Sequence, residues 1–173
     1  MTISGKAKVA GVMGWPIGHS LSPCLHSYWL DAYRIDGAYV PFAVSPEALP
    51  SAIRALPALG IAGVNLTVPH KEAAMALVDS CDEAARRIGA VNTIVVKDNG
   101  KLHGFNTDCF GFLESLHQGA PSWKAKNGPA VVIGAGGAAR AVRPTFTRST
   151  KPCSSFFPRT RCLRAGCPWH DNA

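Results

Sequence analysis

Short hydroxyl and amide side chains recur where apolar runs of the chain stop: Ser20 and Ser22, then Asn65, Thr67 and Lys71, then Asn92, then Asn106, Thr107 and Asp108. Hydroxyls and amides both donate and accept hydrogen bonds, so such a set suits a small polyhydroxylated acid. Lys71 and Asp108 are its two ionisable members. The pattern puts Lys71 in the first turn of a helix opened by Pro69, where the positive end of the helix dipole disfavours an ammonium. A nearby Asp108 carboxylate would favour it, and a Lys–Asp pair balanced this way can pass a proton to or from a hydroxyl near neutral pH. Spacing alone leaves open that both are ordinary solvated first-turn residues.

A second motif concerns phosphate. "AVVIGAGGAAR" (130–140) reads as a strand followed by Gly134-x-Gly136-x-x-Ala139 and a helix start. Glycines at this spacing let backbone N–H groups approach a pyrophosphate at a helix N-terminus. A tight strand–helix turn without a ligand is the alternative.

The elements that must position these residues alternate. "KVAGVMG" (Lys8–Gly14) is a short apolar strand, and Ser22-Pro23 supplies an N-cap and first helical residue for "PCLHSYWLDAYRI". That helix carries Leu25, Tyr28, Trp29, Ala32 and Tyr33 on one face. A strand at Ala38–Val44, a helix opened by Ser45-Pro46, and a strand at Gly63–Val68 follow, then the helix "HKEAAMALVDSC" after Pro69. "NTIVVKDNGKLHGF" predicts a hairpin turned on Asn99-Gly100. "NTD" (Asn106–Asp108) starts the helix "CFGFLESL", and Gln118–Pro129 reads as a linker. The alternation predicts an α/β fold with a mainly parallel sheet, in which ligands bind beyond the carboxyl ends of the strands. Four loops then contribute to one pocket.

Of the 173 residues, 47% are hydrophobic and 17% charged, as in a globular rather than a disordered chain. No apolar run approaches the ~20 residues of a membrane span, and the apolar run at the N-terminus is too short for a secretory signal. A cytoplasmic setting is expected by default. The net charge of +7 is uneven: residues 1–140 carry 12 basic and 10 acidic residues, whereas 141–173 carry 6 basic residues against Asp171 alone. The basic character belongs to the last fifth of the chain and does not by itself point to a nucleic-acid partner.

"GWPIGHSLSPCLH", "GVNLTVPHKEAA", "IGAVNTIV", "GFNTDCFGF" and "IGAGGAARAV" together closely resemble shikimate dehydrogenase, in that family's order and spacing, over about residues 9–142. The resemblance implies a shikimate-binding α/β substrate domain at 1–120. The start of a Rossmann-like NADP-binding domain follows at 121–142, and the implied reaction is the NADPH-dependent reduction of 3-dehydroshikimate to shikimate. That step belongs to chorismate and aromatic amino-acid biosynthesis. By motif position, Ser20 and Ser22 would hold the substrate carboxylate and Thr67, Asn92 and Asp108 the ring hydroxyls. Lys71 would be the acid/base residue, paired with Asp108. Gly134, Ala135, Gly136, Gly137 and Ala138 would line the cofactor phosphates, and Glu83 falls at a position linked to the cofactor side of the cleft. The implied partners are a small-molecule substrate and NADP, with no metal, nucleic acid or membrane; a homodimer is left open.

Beyond Val142 the resemblance stops. Only 44 residues follow from Ala130 on, about one βαβ unit, and Pro144 is expected to break the helix. "RPTFTRSTKPCSSFFPRTRCLRAGCPWHDNA" has no sustained apolar period and four prolines, and reads as an aberrant, poorly folded ending to a truncated cofactor domain. On that expectation the chain binds NADPH too weakly for useful turnover, and a non-catalytic shikimate- or quinate-binding fragment is the alternative function. Arg159-Thr160, 25 residues past Gly134, lies near the family's Asn-Arg-Thr motif for the 2′-phosphate, but Pro158 replaces the Asn, and chance is the favoured reading. Cys153, Cys162, Cys167 and His170 fit no compact zinc spacing. Basic residues with Phe156, Phe157 and Trp169 could bind RNA, but a disordered tail is favoured. His19 and His70, beside the substrate loops, are read as solvated or packing residues.

Overall fold

The computed structural model describes residues 3–124, 131–134, 136–147 and 160–162, with side chains through Arg143. The chain divides into two compact units, Met1–Phe105 and Asn106–Ala173.

In the first unit a six-stranded sheet has the order β2-β1-β3-β5-β6-β4. Its strands are β1 (Lys8–Gly14), β2 (Gly37–Ala43), β3 (Ile61–Leu66), β4 (Ser80–Cys81), β5 (Thr93–Val96) and β6 (Leu102–Phe105). β1 runs parallel to β2 and β3, and β4 parallel to β6, while β5 is antiparallel to both β3 and β6. The sheet is therefore mixed, three parallel pairings against two antiparallel. The antiparallel pairings belong to the hairpin expected at Asn99-Gly100. Gly100 sits at φ +77° and donates to the Lys97 carbonyl at 2.8 Å, which closes that turn.

Successive side chains of a strand face opposite sides, and the core is split accordingly. Met13, Val64, Leu66 and Ile94 face one side, packing with Leu49 and Ile53 of α2 (Leu49–Ala55), with Leu56, and with Ala85 of α3 (Glu83–Ile88). Val12, Ile17 and Tyr39 face the other, with Ala10 and with Leu30 of α1 (Ser22–Ala32).

Four local expectations need correction. α1 buries none of its residues fully, and Leu25, Tyr28, Trp29 and Tyr33 are exposed. The helix meets the sheet through the i, i+4 pair His26 and Leu30, because the edge of β2 offers Tyr39 there. At the start of α1, Ser20 rather than Ser22 acts as acceptor: its hydroxyl takes the Ser22 N–H at 3.3 Å. The α2 helix starts at Leu49, three residues after Pro46. No α-helix follows Pro69: residues 68–72 form turns and Ala73–Ala76 one 3-10 helix, so Lys71 lies in a turn and not at an α-helix N-terminus. The chain is held there by buried His70, whose Nε2–H donates to the Val44 carbonyl at 2.8 Å.

The second unit contains α4 (Asp108–Gly119), β7 (Val131–Ile133), α5 (Gly137–Thr147) and β8 (Thr160–Cys162). α4 packs on α5, where Ala141 is fully buried. Pro144 does not end α5, which continues to Thr147. A proline lacks an N–H, so one i→i−4 bond of the helix is absent at that position. β8 pairs antiparallel with β7. The rest of the tail, including Cys153, Phe156, Phe157, Arg159, Cys167, Trp169 and His170, lies outside the described residues. No described helix is long and apolar enough to cross a membrane.

Candidate functional site

The carboxyl ends of β1 and β3 and the amino end of antiparallel β5 share one edge of the first unit's sheet. Five predicted residues belong to the segments at that edge. Ser20 and Ser22 follow β1, both half-buried, with the Ser20 amide donating to the Ile17 carbonyl at 3.0 Å. Thr67 follows β3, and its amide donates to the Met13 carbonyl at 3.0 Å, so β3's ladder with β1 extends one residue further. A Cβ at Gly14 would come within 2.5 Å of Thr67 Cγ2 and 2.9 Å of Ile17 Cδ1. The end of β1 therefore has to be glycine for Thr67 to sit against it.

Lys71 and Asn92 are tied together through the main chain. The Val91 amide donates to the Lys71 carbonyl at 2.7 Å, and the Leu66 amide donates to the Asn92 carbonyl at 2.8 Å. Asn92 is buried, and its own amide donates to the Phe105 carbonyl at 2.9 Å. Serine hydroxyls, a threonine, an amide and an ammonium at one sheet edge can hold a carboxylate and ring hydroxyls and can move one proton.

Asn65, singled out by pattern as another edge residue, is used differently. Its Oδ1 accepts from the Tyr39 hydroxyl at 2.6 Å, and its Nδ2 donates to Thr93 Oγ1 at 3.0 Å. Thr93 Oγ1 in turn donates to Asn92 Oδ1 at 3.0 Å. Tyr39 and Thr93 carry no sequence signature of their own, and only the pairing of strands far apart in the chain reveals them. They line a cleft of about 520 Å³ on the α1 face of the sheet, together with His26, Trp29 and Asn65. None of Ser20, Ser22, Thr67, Lys71 or Asn92 lines that cleft. Burial pushes the Tyr39 phenol up to about 12.

Glu83 opens α3 beside the capping residue Asp82, whose carboxylate accepts from the Ala85 amide at 2.7 Å. Its side chain is exposed and faces Arg87 at 3.9 Å. His19 is exposed, and His70 is a buried packing residue.

In the second unit Asp108 is the first residue of α4, favourable for a carboxylate near the positive end of the helix. Its amide donates to Asn106 Oδ1 at 3.0 Å, an Asx-type turn that opens the helix where the sequence predicts. The strand–turn–helix around the glycines is also present. β7 leads to Gly134 at φ +120°, then to Gly136 and to Gly137 at the start of α5. Nothing lies within 4 Å of a Cβ placed on Gly136, and Ala138 is exposed. Ala135 lies outside the described residues. A positive-φ glycine and an unobstructed Gly136 just before a helix start are compatible with a phosphate, because the first N–H groups of a helix lack intrahelical partners. Among the described residues no group of His, Cys, Asp and Glu could hold a metal ion.

Comparison with known proteins shows what this chain is similar to. Residues 12–94 match the family described as shikimate dehydrogenase substrate binding domain. The chain is similar to the "Shikimate dehydrogenase (NADP(+))" of Rhodospirillum rubrum, 61% identical over 166 residues, covering 96% of this chain and 53% of that protein. It is similar in fold to the Thermus thermophilus shikimate 5-dehydrogenase solved with NADP(H) and shikimate. There the TM-score is 0.72 at 45% identity, covering 80% of this chain and 51% of that one. A 5-ketofructose reductase of a Gluconobacter strain gives a TM-score of 0.70 at 31% identity, covering 81% of this chain and 49% of that one. The chain spans about half the length of the curated relatives it matches.

Proposed function

We propose that this chain, a relative of the NADP-dependent shikimate dehydrogenases, binds shikimate and 3-dehydroshikimate at the sheet edge of its first unit and serves NADPH-dependent reduction of the latter. The observation that carries the reading is that Ser20, Ser22, Thr67, Lys71 and Asn92 lie in segments at one end of the sheet, with Thr67 tied to Met13, Asn92 to Leu66 and Phe105, and Lys71 to Val91 by main-chain hydrogen bonds. A relative at 61% identity that bears the dehydrogenase name supports it.

In this reading the Ser20 and Ser22 hydroxyls hold the substrate carboxylate, and Thr67, Asn92 and Asp108 hold ring hydroxyls. NADPH, when bound, supplies the hydride. Lys71 donates a proton to the oxygen of the carbonyl being reduced and takes it back in the reverse direction, and Asp108 is the second ionisable residue assigned to the step. Reduction of a carbonyl needs one hydride and one proton, so a single ammonium balances the step. Gly134, Gly136 and Gly137, with Ala135 and Ala138, receive the cofactor phosphates, and Glu83 is assigned a supporting part in cofactor binding. A cytoplasmic setting accords with the composition.

Calorimetric titration of the purified chain with shikimate, then with NADP, tests the reading, with 5-ketofructose as the competing ligand. Shikimate binding with no response to 5-ketofructose supports it; preference for 5-ketofructose, or no shikimate binding at millimolar concentration, refutes it.

A further inference from the structure

The hydrogen bonds from Tyr39 to Asn92 run in one direction only. A phenol has one proton, and Tyr39 spends it on Asn65 Oδ1 at 2.6 Å. With its oxygen so engaged, the Asn65 amide turns its NH2 to Thr93 Oγ1, 3.0 Å away. Thr93 Oγ1 is thereby an acceptor on one side, and its single proton goes to Asn92 Oδ1 at 3.0 Å. An amide whose oxygen faces Thr93 directs its NH2 away from Thr93. Orientation is thus handed from β2 across β1 to β3 and β5, ending at a buried side chain.

The packing makes this chain rigid. Tyr39 lies opposite Ala10 in β1, and Ala10 lies opposite Gly63 in β3, so small residues let the phenol cross β1 and reach Asn65. Asn65 and Thr93 are direct cross-strand partners. The His26 ring stacks on Tyr39 at 3.9 Å between centroids and 10° between planes. Its Nδ1–H donates to the Ser22 carbonyl at 2.9 Å. Burial keeps the Tyr39 phenol protonated well above neutral pH, so the first donor of the series is always present.

We propose that Tyr39, Asn65 and Thr93 are positioning residues that set the Asn92 amide so that it offers N–H donors, not its carbonyl, to a ring oxygen of the ligand. A donor serves an oxygen in either redox state, hydroxyl or ketone, whereas an acceptor serves only the hydroxyl. The inference rests on the proposed role of Asn92 in ligand binding.

The test uses the full chain with Thr93→Val, Thr93→Ser and Tyr39→Phe, titrated with shikimate by calorimetry. Side-chain amide NH2 signals are followed by 15N NMR without ligand. Thr93→Val is expected to weaken shikimate binding by ~10-fold or more, Tyr39→Phe less, and Thr93→Ser to stay within ~2-fold of the parent. The Asn92 NH2 signals are expected to move in Thr93→Val and stay in place in Thr93→Ser. Thr93→Ala replaces the valine variant if that chain does not fold. A folded Thr93→Val chain with unchanged affinity overturns the proposal, as do unchanged Asn92 NH2 signals, whether or not shikimate binds. Failure of the parent chain to bind shikimate overturns the proposed function instead, and the relay then stands or falls on the NMR result.

Discussion

The amide of Val91 donates to the carbonyl of Lys71 at 2.7 Å, and this bond fastens the turn carrying the ammonium to the segment that leads into Asn92. The backbone of Lys71 is therefore set by a partner 20 residues away rather than by a helix of its own. The position of the turn is thus fixed by the main chain and does not depend on the side chain for this bond.

Replacing Lys71 by Ala keeps that main-chain bond, so the substitution should spare folding and binding. In a chimaera whose residues from Asn106 on come from the Rhodospirillum rubrum relative, Lys71→Ala is expected to lower kcat by ~10²–10⁴ with little change in KM. Steady-state kinetics with 3-dehydroshikimate and NADPH reads this directly; an unchanged kcat removes Lys71 from the proton-transfer role.

Gly14→Ala probes how Thr67 is placed. Its new Cβ would fall 2.5 Å from Thr67 Cγ2, and a β-branched side chain has little freedom to retreat. The expected cost is ~1–3 kcal/mol of folding stability together with weaker shikimate binding. Urea denaturation and calorimetry on the same protein measure both, and parent-like values in both would show that the strand end can open.

Tyr39 gives a pH signature. Its pKa is raised from 10.0 to about 12 in the fold by burial. The folded state therefore holds the phenolic proton more tightly than the unfolded chain. The associated stability is complete below about pH 10 and is lost as pH rises through about 12. Parent and Tyr39→Phe denaturation midpoints, compared between pH 8 and 12, should converge at the alkaline end. At pH 8 the variant should be less stable by ~1–2 kcal/mol, because Asn65 Oδ1 loses its donor. A constant difference across the range would count against the shift.

Gly134→Ala tests the phosphate turn. At φ +120° an L side chain is strained by ~1–3 kcal/mol, although Ala139 Cβ, 3.9 Å from the added carbon, leaves room for it. The cost is in the backbone rather than in space. NADP affinity, followed by fluorescence titration in the same chimaera, is expected to fall at least ~10-fold while shikimate affinity is unchanged; equal NADP affinity would take the turn out of cofactor binding.

The amino-acid sequence by itself determined what depends on near neighbours. Apolar runs such as Lys8–Gly14, the Asn99-Gly100 turn, the Asn106–Asp108 helix start and the glycine turn after Ile133 are all local patterns of period, φ preference and capping. So are the polar residues at the ends of strands, which is why most of the candidate site was legible. What required tertiary structure was the environment into which those segments fold. Pro69 reads locally as a helix start, yet buried His70 is held by the carbonyl of Val44, and the chain takes turns and a 3-10 helix instead. The aromatic stripe of α1 reads as a buried face, but Tyr39 draws His26 and Leu30 to the sheet and leaves that stripe exposed. Asn65 reads as one more edge residue, and only strand register, 26 residues back to Tyr39 and 28 on to Thr93, turns its amide into support for Asn92. Period and capping act over three or four residues, whereas hydrogen-bond partners are chosen by which strands lie side by side.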